Sequence, residues 1–371
     1  MELKMKAITK KKVLILGCTG SIGQNSIALM KEYPNDFEVV GLSAHRNEAK
    51  LKTFGKECNC TNLFLSENNE EGFAEFISQT KADIAINGIS GFAGLLPSIH
   101  CLEAKMDLAL ANKESIVSAG DLLQSIARKN NKKIIPVDSE HSAVFSLIQG
   151  LGKNSVKKIL LTASGGPFRL WEKERFPSIR VQDALAHPTW SMGKKISIDS
   201  ATLANKGLEV IEASRLFSLD AKEIQVLIHP QSIVHSMVQS KDGAYYAQLS
   251  PPSMKQAILY ALNYPEIKEN SLPSLDFSQD LALNFSPPRM NDFPMLALAY
   301  EVLEKDGALP IVYNAANEIF VHAFLEEKIR FIDIPVLTEK ILNGNWSMKP
   351  NHLEDVIQID RIAREKAGAL I

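Results

Sequence analysis

The sequence predicts an α/β protein with three parts: an N-terminal parallel, doubly wound sheet, a central α/β unit with a mixed sheet, and a C-terminal helical domain. Three observations predict this. Short apolar runs alternate with helical stretches through the first third of the chain. Two β-rich runs flank a hairpin turn in the middle. Beyond a proline-rich stretch, only helical spacing remains.

The first runs are Val13-Leu-Ile-Leu16, Val39-Val-Gly-Leu42, Ile84-Ala-Ile86, Leu108-Ala-Leu110 and Ile134-Ile-Pro-Val137. Strands at this rhythm, with helices between them, build a parallel sheet whose ligands bind at the carboxyl ends of its strands. After about residue 139 the rhythm changes. Ile159-Leu-Leu161 is a strand cut short by Ser164-Gly-Gly-Pro-Phe168, and the runs 233–238 and 244–249 flank Lys241-Asp-Gly243. Prolines 265, 273, 287 and 288 mark a linker, and Met295, Leu296, Leu298, Ala299 and Val302 then recur at helical spacing. The expected boundaries are 1–138, 139–262, a linker over 263–290, and 291–371.

Composition narrows the function classes. With 45% hydrophobic and 23% charged residues the chain can bury a core. A formal charge of -2 argues against a nucleic-acid surface or a polybasic membrane patch. The basic stretch 4–12 lacks the apolar run of a signal peptide and reads as a solvated tail. No apolar run approaches the ~20 residues of a membrane helix. Cys18, Cys58, Cys60 and Cys101 form no Cys-x-x-Cys pair and fit reduced thiols in a cytoplasmic protein.

Gly17-Cys-Thr-Gly-Ser-Ile-Gly23 follows the first strand and opens a helix. Its Gly-x-x-Gly-x-x-Gly spacing departs from the commoner Gly-x-Gly-x-x-Gly, yet glycines there still let the backbone approach a pyrophosphate facing a helix N-terminus. A Rossmann-like nucleotide unit follows from strand, turn, helix and strand arriving in order. The second strand ends Ser43-Ala44-His45-Arg46-Asn47, without the acid that would hold a ribose 2′-hydroxyl, while Arg46 suits a 2′-phosphate. NADP is therefore favoured over NAD.

Asp138-Ser-Glu140 closes another strand, and residues i and i+2 of an extended chain point the same way. In Asn205-Lys-Gly-Leu-Glu209, Asn205 and Glu209 share one helix face. Oxygen-only ligation favours magnesium or manganese over zinc, although paired acids at a strand end are more often simply solvated. Asn112-Lys113-Glu114, Ser164-Gly-Gly166, His187-Pro-Thr-Trp-Ser-Met-Gly193 and Asp199-Ser-Ala-Thr202 supply side chains suited to a phosphate. As separate words each reads equally as a loop, cap or core feature; so do Trp190, His229 and His235.

In order, these words and Ala111-Asn-Lys-Glu-Ser115, Pro136-Val-Asp-Ser-Glu-His141, Lys195-Ile-Ser-Ile-Asp-Ser-Ala-Thr202, His229-Pro-Gln-Ser232 and Asn314-Ala-Ala-Asn-Glu318 closely resemble the 1-deoxy-D-xylulose 5-phosphate reductoisomerase family. The resemblance runs from the first strand to the C-terminal helices. It implies NADPH- and metal-dependent rearrangement and reduction of deoxyxylulose phosphate to 2-C-methyl-D-erythritol 4-phosphate, in the non-mevalonate isoprenoid pathway. By this resemblance Asp138, Glu140 and Glu209 are metal ligands for magnesium or manganese, and Lys113, Ser139 and Glu140 contact the reacting oxygens. Ser164, His187, Trp190, Ser200, Asn205 and Lys206 hold the sugar phosphate. Thr19, Gly20, Ser21, Ile22, His45, Arg46, Asn47, Asn112, Glu114 and Gly193 contact NADPH. A homodimer and a flap over 165–193 are implied too. Cys18 stands where the family usually has Ser, and His45 where Gly is common; both bear on cofactor affinity.

Two rival enzymes fail on residues. Tyr264 to Lys268 matches the Tyr-x-x-x-Lys of a short-chain dehydrogenase, but Pro265 breaks the helix that motif needs. A semialdehyde dehydrogenase needs a nucleophilic cysteine in its second domain, and no cysteine follows Cys101. A non-enzymatic NADP sensor would need neither three carboxylates nor a phosphate cluster.

Overall fold

The computed structural model describes residues 10–67, 69–187, 189–190 and 192–371. Most of the basic stretch 4–12, and Pro188 and Ser191 of the His187–Gly193 word, lie outside the described residues. In chain order the elements begin β1 Lys11–Leu16, α1 Ser21–Glu32, β2 Phe37–Ala44, α2 Glu48–Glu57, β3 Leu63–Leu65, α3 Glu70–Gln79, β4 Ile84–Asn87 and α4 Leu95–Glu103. Next come β5 Asp107–Leu110, α5 Lys113–Lys129, β6 Ile134–Pro136, α6 Ser139–Leu151, β7 Val156–Ala163, α7 Val181–Leu185, α8 Lys194–Thr202 and α9 Ala204–Phe217. The last are β8 Ile224–Ile228, β9 Val234–Ser240, β10 Tyr245–Leu249, α10 Met254–Asn263, α11 Pro294–Lys305, α12 Leu309–Leu325, α13 Asp333–Leu342 and α14 Leu353–Gly368.

The chain divides into two compact units that cut across the boundaries expected from sequence. The first comprises residues 1–112, 123–137 and 254–269; the second comprises 113–122, 138–253 and 270–371. Part of the expected linker, and all of α10, belongs with the first unit.

In the first unit six strands run parallel in the order β3-β2-β1-β4-β5-β6. Strand order reverses beside β1, which is where such a sheet opens its ligand crevice. Val13, Leu14, Ile15 and Leu16 are wholly buried, as a strand covered on both faces requires. α10 packs on α1, β5 and β6, burying Ala257, Ile258, Ala261 and Leu262. Lys11 Nζ donates to the carbonyl of Leu262 at 2.6 Å, tying the end of that helix to β1.

The second unit holds a four-stranded sheet in the order β10-β9-β7-β8. β7 pairs parallel with β8 and antiparallel with β9, and the expected hairpin joins β9 to β10. The sheet is mixed, as predicted. The sequence reading missed β3 and β8. α9 packs on α11, and α12 on α13 and α14. Among the described residues, no helix is long and apolar enough to cross a membrane.

Candidate active site

The second unit gathers the carboxylates. Asp138 is the N-cap residue of α6, and its side chain does not cap the helix; it pairs with Lys113 Nζ instead. Glu140 lies in the first turn of the same helix. The extended i, i+2 geometry expected of this pair does not form. A strand-to-helix turn carries both acids, and α9 supplies the groups that join them. Lys113 Nζ also lies 3.1 Å from Glu209 Oε1, while Lys206 Nζ meets Glu140 Oε1 at 2.7 Å and pairs with Glu209 Oε2. Asn205 Nδ2 donates to Glu209 Oε1 at 2.5 Å, so the predicted i, i+4 pair does share one face. Ser139 Oγ donates to Glu140 Oε2 at 2.5 Å.

Burial alone would drive the proton off Lys113, but Asp138 and Glu209 outweigh it and hold the ammonium well above its usual range. Burial would raise Asp138; the Lys113 charge instead holds it well below the carboxylate range. Glu140 goes the other way, pushed up to about 7 by burial and then by Glu209. Three carboxylates against two ammoniums form an all-oxygen donor set with negative charge in excess, which fits a hard divalent cation.

Sequence reasoning passed over His141 and Glu212. Asp138, His141 and Glu209 each bring one donor atom within 4.8 Å of the others. Yet His141 Nε2 lies 3.0 Å from the main-chain oxygen of Glu209, and Nδ1 faces Glu212 Oε2 at 3.4 Å. The ring is fully buried and braces two of the carboxylate-bearing segments from behind. Glu212 sits one turn beyond Glu209 on α9, a helical spacing the sequence did offer.

A second cluster assembles the predicted phosphate words. Ser164 follows β7, and His187 Nε2 lies 3.0 Å from its Oγ. His187 Nδ1 accepts from the backbone N–H groups of Thr189 and Trp190, at 3.2 and 2.9 Å. Nε2 therefore carries the ring proton and donates to Ser164. Burial, then the charge of Arg169, hold the His187 pKa below its usual value, so the ring is neutral. Gly166, at φ +66°, lies so close to α8 that a Cβ would stand 2.7 Å from the Ser200 carbonyl; this brings the Ser164 loop against Ser200. Leu203 takes a left-handed conformation, φ +60°, between Ser200 and Asn205, a backbone cost found where a site fixes side chains.

The expected flap is not uniform. Phe168 and Phe176 are buried against Phe331 and Phe293, with ring centroids 5.2 and 5.3 Å apart. Arg289 Nη2 donates to the carbonyls of Phe168 and Trp171, at 3.3 and 2.8 Å. Phe168 and Phe176 thus pin this stretch to the segments that lead into α11 and α13, while Leu170 and residues 172–175 between them are exposed. Ala186 is exposed, and His187 and Trp190 are half-buried.

In the first unit, Thr19, Gly20, Ser21 and Ile22 form the turn into α1. A Cβ on Gly23 would stand 2.4 Å from Cys18 Cα, so only glycine lets helix and strand meet there. No side chain caps α1 at Gly20, leaving its first N–H groups to face an anion. His45, Arg46 and Asn47 follow β2. Asn47 Oδ1 caps α2 by accepting from Lys50 N–H at 3.0 Å, and Arg46 Nε pairs with Glu67 Oε1 at 2.8 Å. A carboxylate therefore does reach this edge, from the loop after β3, where the sequence reading looked only after β2. Asn112 belongs to this unit, Glu114 and Gly193 to the second. His229 and His235 are buried and hydrogen-bonded, the former across to the Asn284 carbonyl and the latter to Ser250. All four cysteines are free.

Comparison with known proteins adds a family. The model for 1-deoxy-D-xylulose 5-phosphate reductoisomerase matches residues 13–71 and 66–120. The models for that enzyme's C-terminal domain and for the DXP reductoisomerase C-terminal domain match 134–217 and 249–366. The Treponema denticola reductoisomerase is 49% identical over 98% of this chain and 97% of its own; that of Treponema pallidum is 45% identical over 97% of each. The structure of the Zymomonas mobilis reductoisomerase in complex with NADPH superposes with a TM-score of 0.90 at 37% identity, over 98% of this chain and 99% of that one. A DOX-P reductoisomerase structure in complex with NADPH, fosmidomycin and magnesium gives 0.89 at 35% identity, over 97% and 98%. With matches along nearly its whole length, the chain belongs to the 1-deoxy-D-xylulose 5-phosphate reductoisomerase family.

Proposed function

We propose that this chain is an NADP-dependent oxidoreductase that converts 1-deoxy-D-xylulose 5-phosphate to 2-C-methyl-D-erythritol 4-phosphate, for isoprenoid synthesis by the non-mevalonate route. The observation that carries the reading is the convergence of Asp138, Glu140 and Glu209 on Lys113 and Lys206, in a chain of this family. The NADPH and magnesium complexes of its structural relatives support the cofactor choice.

Asp138, Glu140 and Glu209 hold magnesium or manganese. The cation supplies Lewis-acid polarisation of the substrate ketone and its neighbouring hydroxyl, and NADPH supplies the hydride. Lys113, with Ser139 and Glu140, faces the reacting oxygens; its ammonium stabilises negative charge developing there. Ser164, His187, Ser200, Asn205 and Lys206 orient the sugar phosphate. Ser164 Oγ already accepts from His187, so its own proton is left to donate to a phosphate oxygen. Trp190 covers the substrate once the flap closes and excludes water. Thr19, Gly20, Ser21, Ile22, His45, Arg46, Asn47, Asn112, Glu114 and Gly193 bind NADPH.

The reading includes a cytoplasmic homodimer. β10 is a sheet edge carrying Tyr245 and Tyr246, which are 53% and 41% exposed, and Phe277 is 72% exposed in the same unit. Such apolar surface suits a subunit contact. Sedimentation velocity showing only a monomer at micromolar protein would remove the dimer. Mixing protein, NADPH, magnesium and deoxyxylulose phosphate should bring metal-dependent loss of nicotinamide absorbance. No such loss would overturn the reaction.

A further inference from the structure

α8 carries two charged side chains, Lys195 and Asp199, to which the reading above gives no part. Lys195 and Asp199, four residues apart, share one face of the helix. Lys195 Nζ lies 2.7 Å from Glu114 Oε1, in the first turn of α5, and 2.9 Å from Asp199 Oδ2. From α12, Asn317 Nδ2 donates to Asp199 Oδ1 at 2.8 Å. The Asp199 side chain is 1% exposed and Asn317 is wholly buried.

Stability is a poor reason for this arrangement. Desolvating ion pairs largely offsets their attraction, and packed apolar side chains serve a core as well. Asn317 Oδ1 is buried without a hydrogen-bond partner, so this amide leaves one acceptor unsatisfied in order to make one bond to Asp199. What the cluster does secure is spacing. Glu114 adjoins Lys113, and Asp199 adjoins Ser200. The ion pairs thus tie the start of α5, with its lysine among the carboxylates, to the helix that meets the Ser164 loop.

We propose that Lys195, Asp199 and Asn317 are positioning residues: Lys195 clamps Glu114 to Asp199, Asn317 fixes Asp199, and together they set the distance between Lys113 at the reacting end and Ser200 at the phosphate end. This rests on the function proposed above. Wild-type turnover is therefore measured first, and its absence would count against that reading alone.

The test compares Lys195→Met, Lys195→Arg and Asn317→Leu in the full-length protein. For Lys195→Met and Asn317→Leu, kcat/KM for deoxyxylulose phosphate should fall roughly tenfold or more, the scale of one charge-assisted hydrogen bond. The magnesium concentration for half-maximal activity should stay within about twofold of wild type, because none of the three carboxylate ligands touches the cluster. Lys195→Arg should recover most of the loss, since it keeps both ion pairs. Unchanged kinetics beside a lowered melting temperature would overturn the proposal in favour of a purely structural role. So would a magnesium midpoint that moves in step with kcat/KM. If Asn317→Leu fails to fold, the part-exposed Lys195 decides through its two variants, and an arginine variant as impaired as the methionine one sinks the idea.

Discussion

Arg46 and Glu67 form an ion pair, Nε to Oε1 at 2.8 Å, that joins the loop after β2 to the loop after β3. The arginine expected to receive the ribose 2′-phosphate already holds a carboxylate. Exposed pairs of this kind contribute at most about 1 kcal/mol, so a dianionic phosphate can displace Glu67. Glu67→Gln should lower the KM for NADPH by roughly two- to fivefold, most clearly at low salt. Arg46→Ala should raise it by about tenfold and leave NADH kinetics nearly unchanged. Equal losses with the two cofactors would show that Arg46 does not read the phosphate.

Glu209 meets both lysines and Asn205, so its charge is central to the carboxylate cluster. Glu209→Gln should reduce kcat by at least roughly 10²-fold, the scale for losing one element of oxyanion stabilisation. NADPH binding, followed by nucleotide fluorescence, should persist. A chelator should abolish wild-type activity, and magnesium or manganese should restore it where zinc does not. Normal turnover by the variant at the same metal concentration would remove Glu209 from the ligand set.

The pinning of Phe168 and Phe176 divides the flap. Trypsin should cut at the exposed Lys173 and Arg175 equally with and without ligand, since the buried Phe168 and Phe176 pin that stretch at both ends. Protection by NADPH plus a substrate-like phosphonate should concentrate at the exposed Lys194, just after Gly193, with a change in Trp190 fluorescence. Ligand-dependent cleavage at Lys173 would mean that the whole flap moves.

His235 is buried, and burial pushes its pKa down to about 4, with the charge of His229 and Lys206 adding to the effect. The unfolded chain takes up the proton first, near its ordinary pKa of about 6.5. Stability is therefore intact above about pH 6.5 and is lost as pH falls towards 4. The loss amounts to about 3 kcal/mol. His235→Gln should flatten this part of the profile in urea unfolding between pH 4 and 7. An unchanged difference between the two ends would exclude His235 as its source.

Long apolar runs made most of both sheets legible: 13–16 and 84–86 can only be covered strands. β3 and β8 have apolar runs as short as those of β4 and β5, but β3 is only half-buried and β8 follows directly on a 3₁₀ turn, so neither was set off from its surroundings. The carboxylate trio was legible as separate words, and its convergence was not. No spacing shows that a lysine at 113 and another at 206 will bridge acids at 138, 140 and 209. His141 and Glu212 escaped because a buried polar side chain looks in sequence like any residue on an otherwise apolar helix. Glu67 escaped because its partner lies in the loop after a neighbouring strand, and which strands are neighbours is a property of the sheet.

The return of residues 254–269 to the first unit sets an order of events during synthesis. When the ribosome has released residue 138, all six parallel strands exist, but Ala257, Ile258, Ala261 and Leu262 do not, and the face of β5 and β6 they cover is bare. Nascent chains fold unit by unit, and exposed apolar surface invites aggregation while they wait. This chain must keep that face soluble through more than a hundred further residues, until α10 emerges.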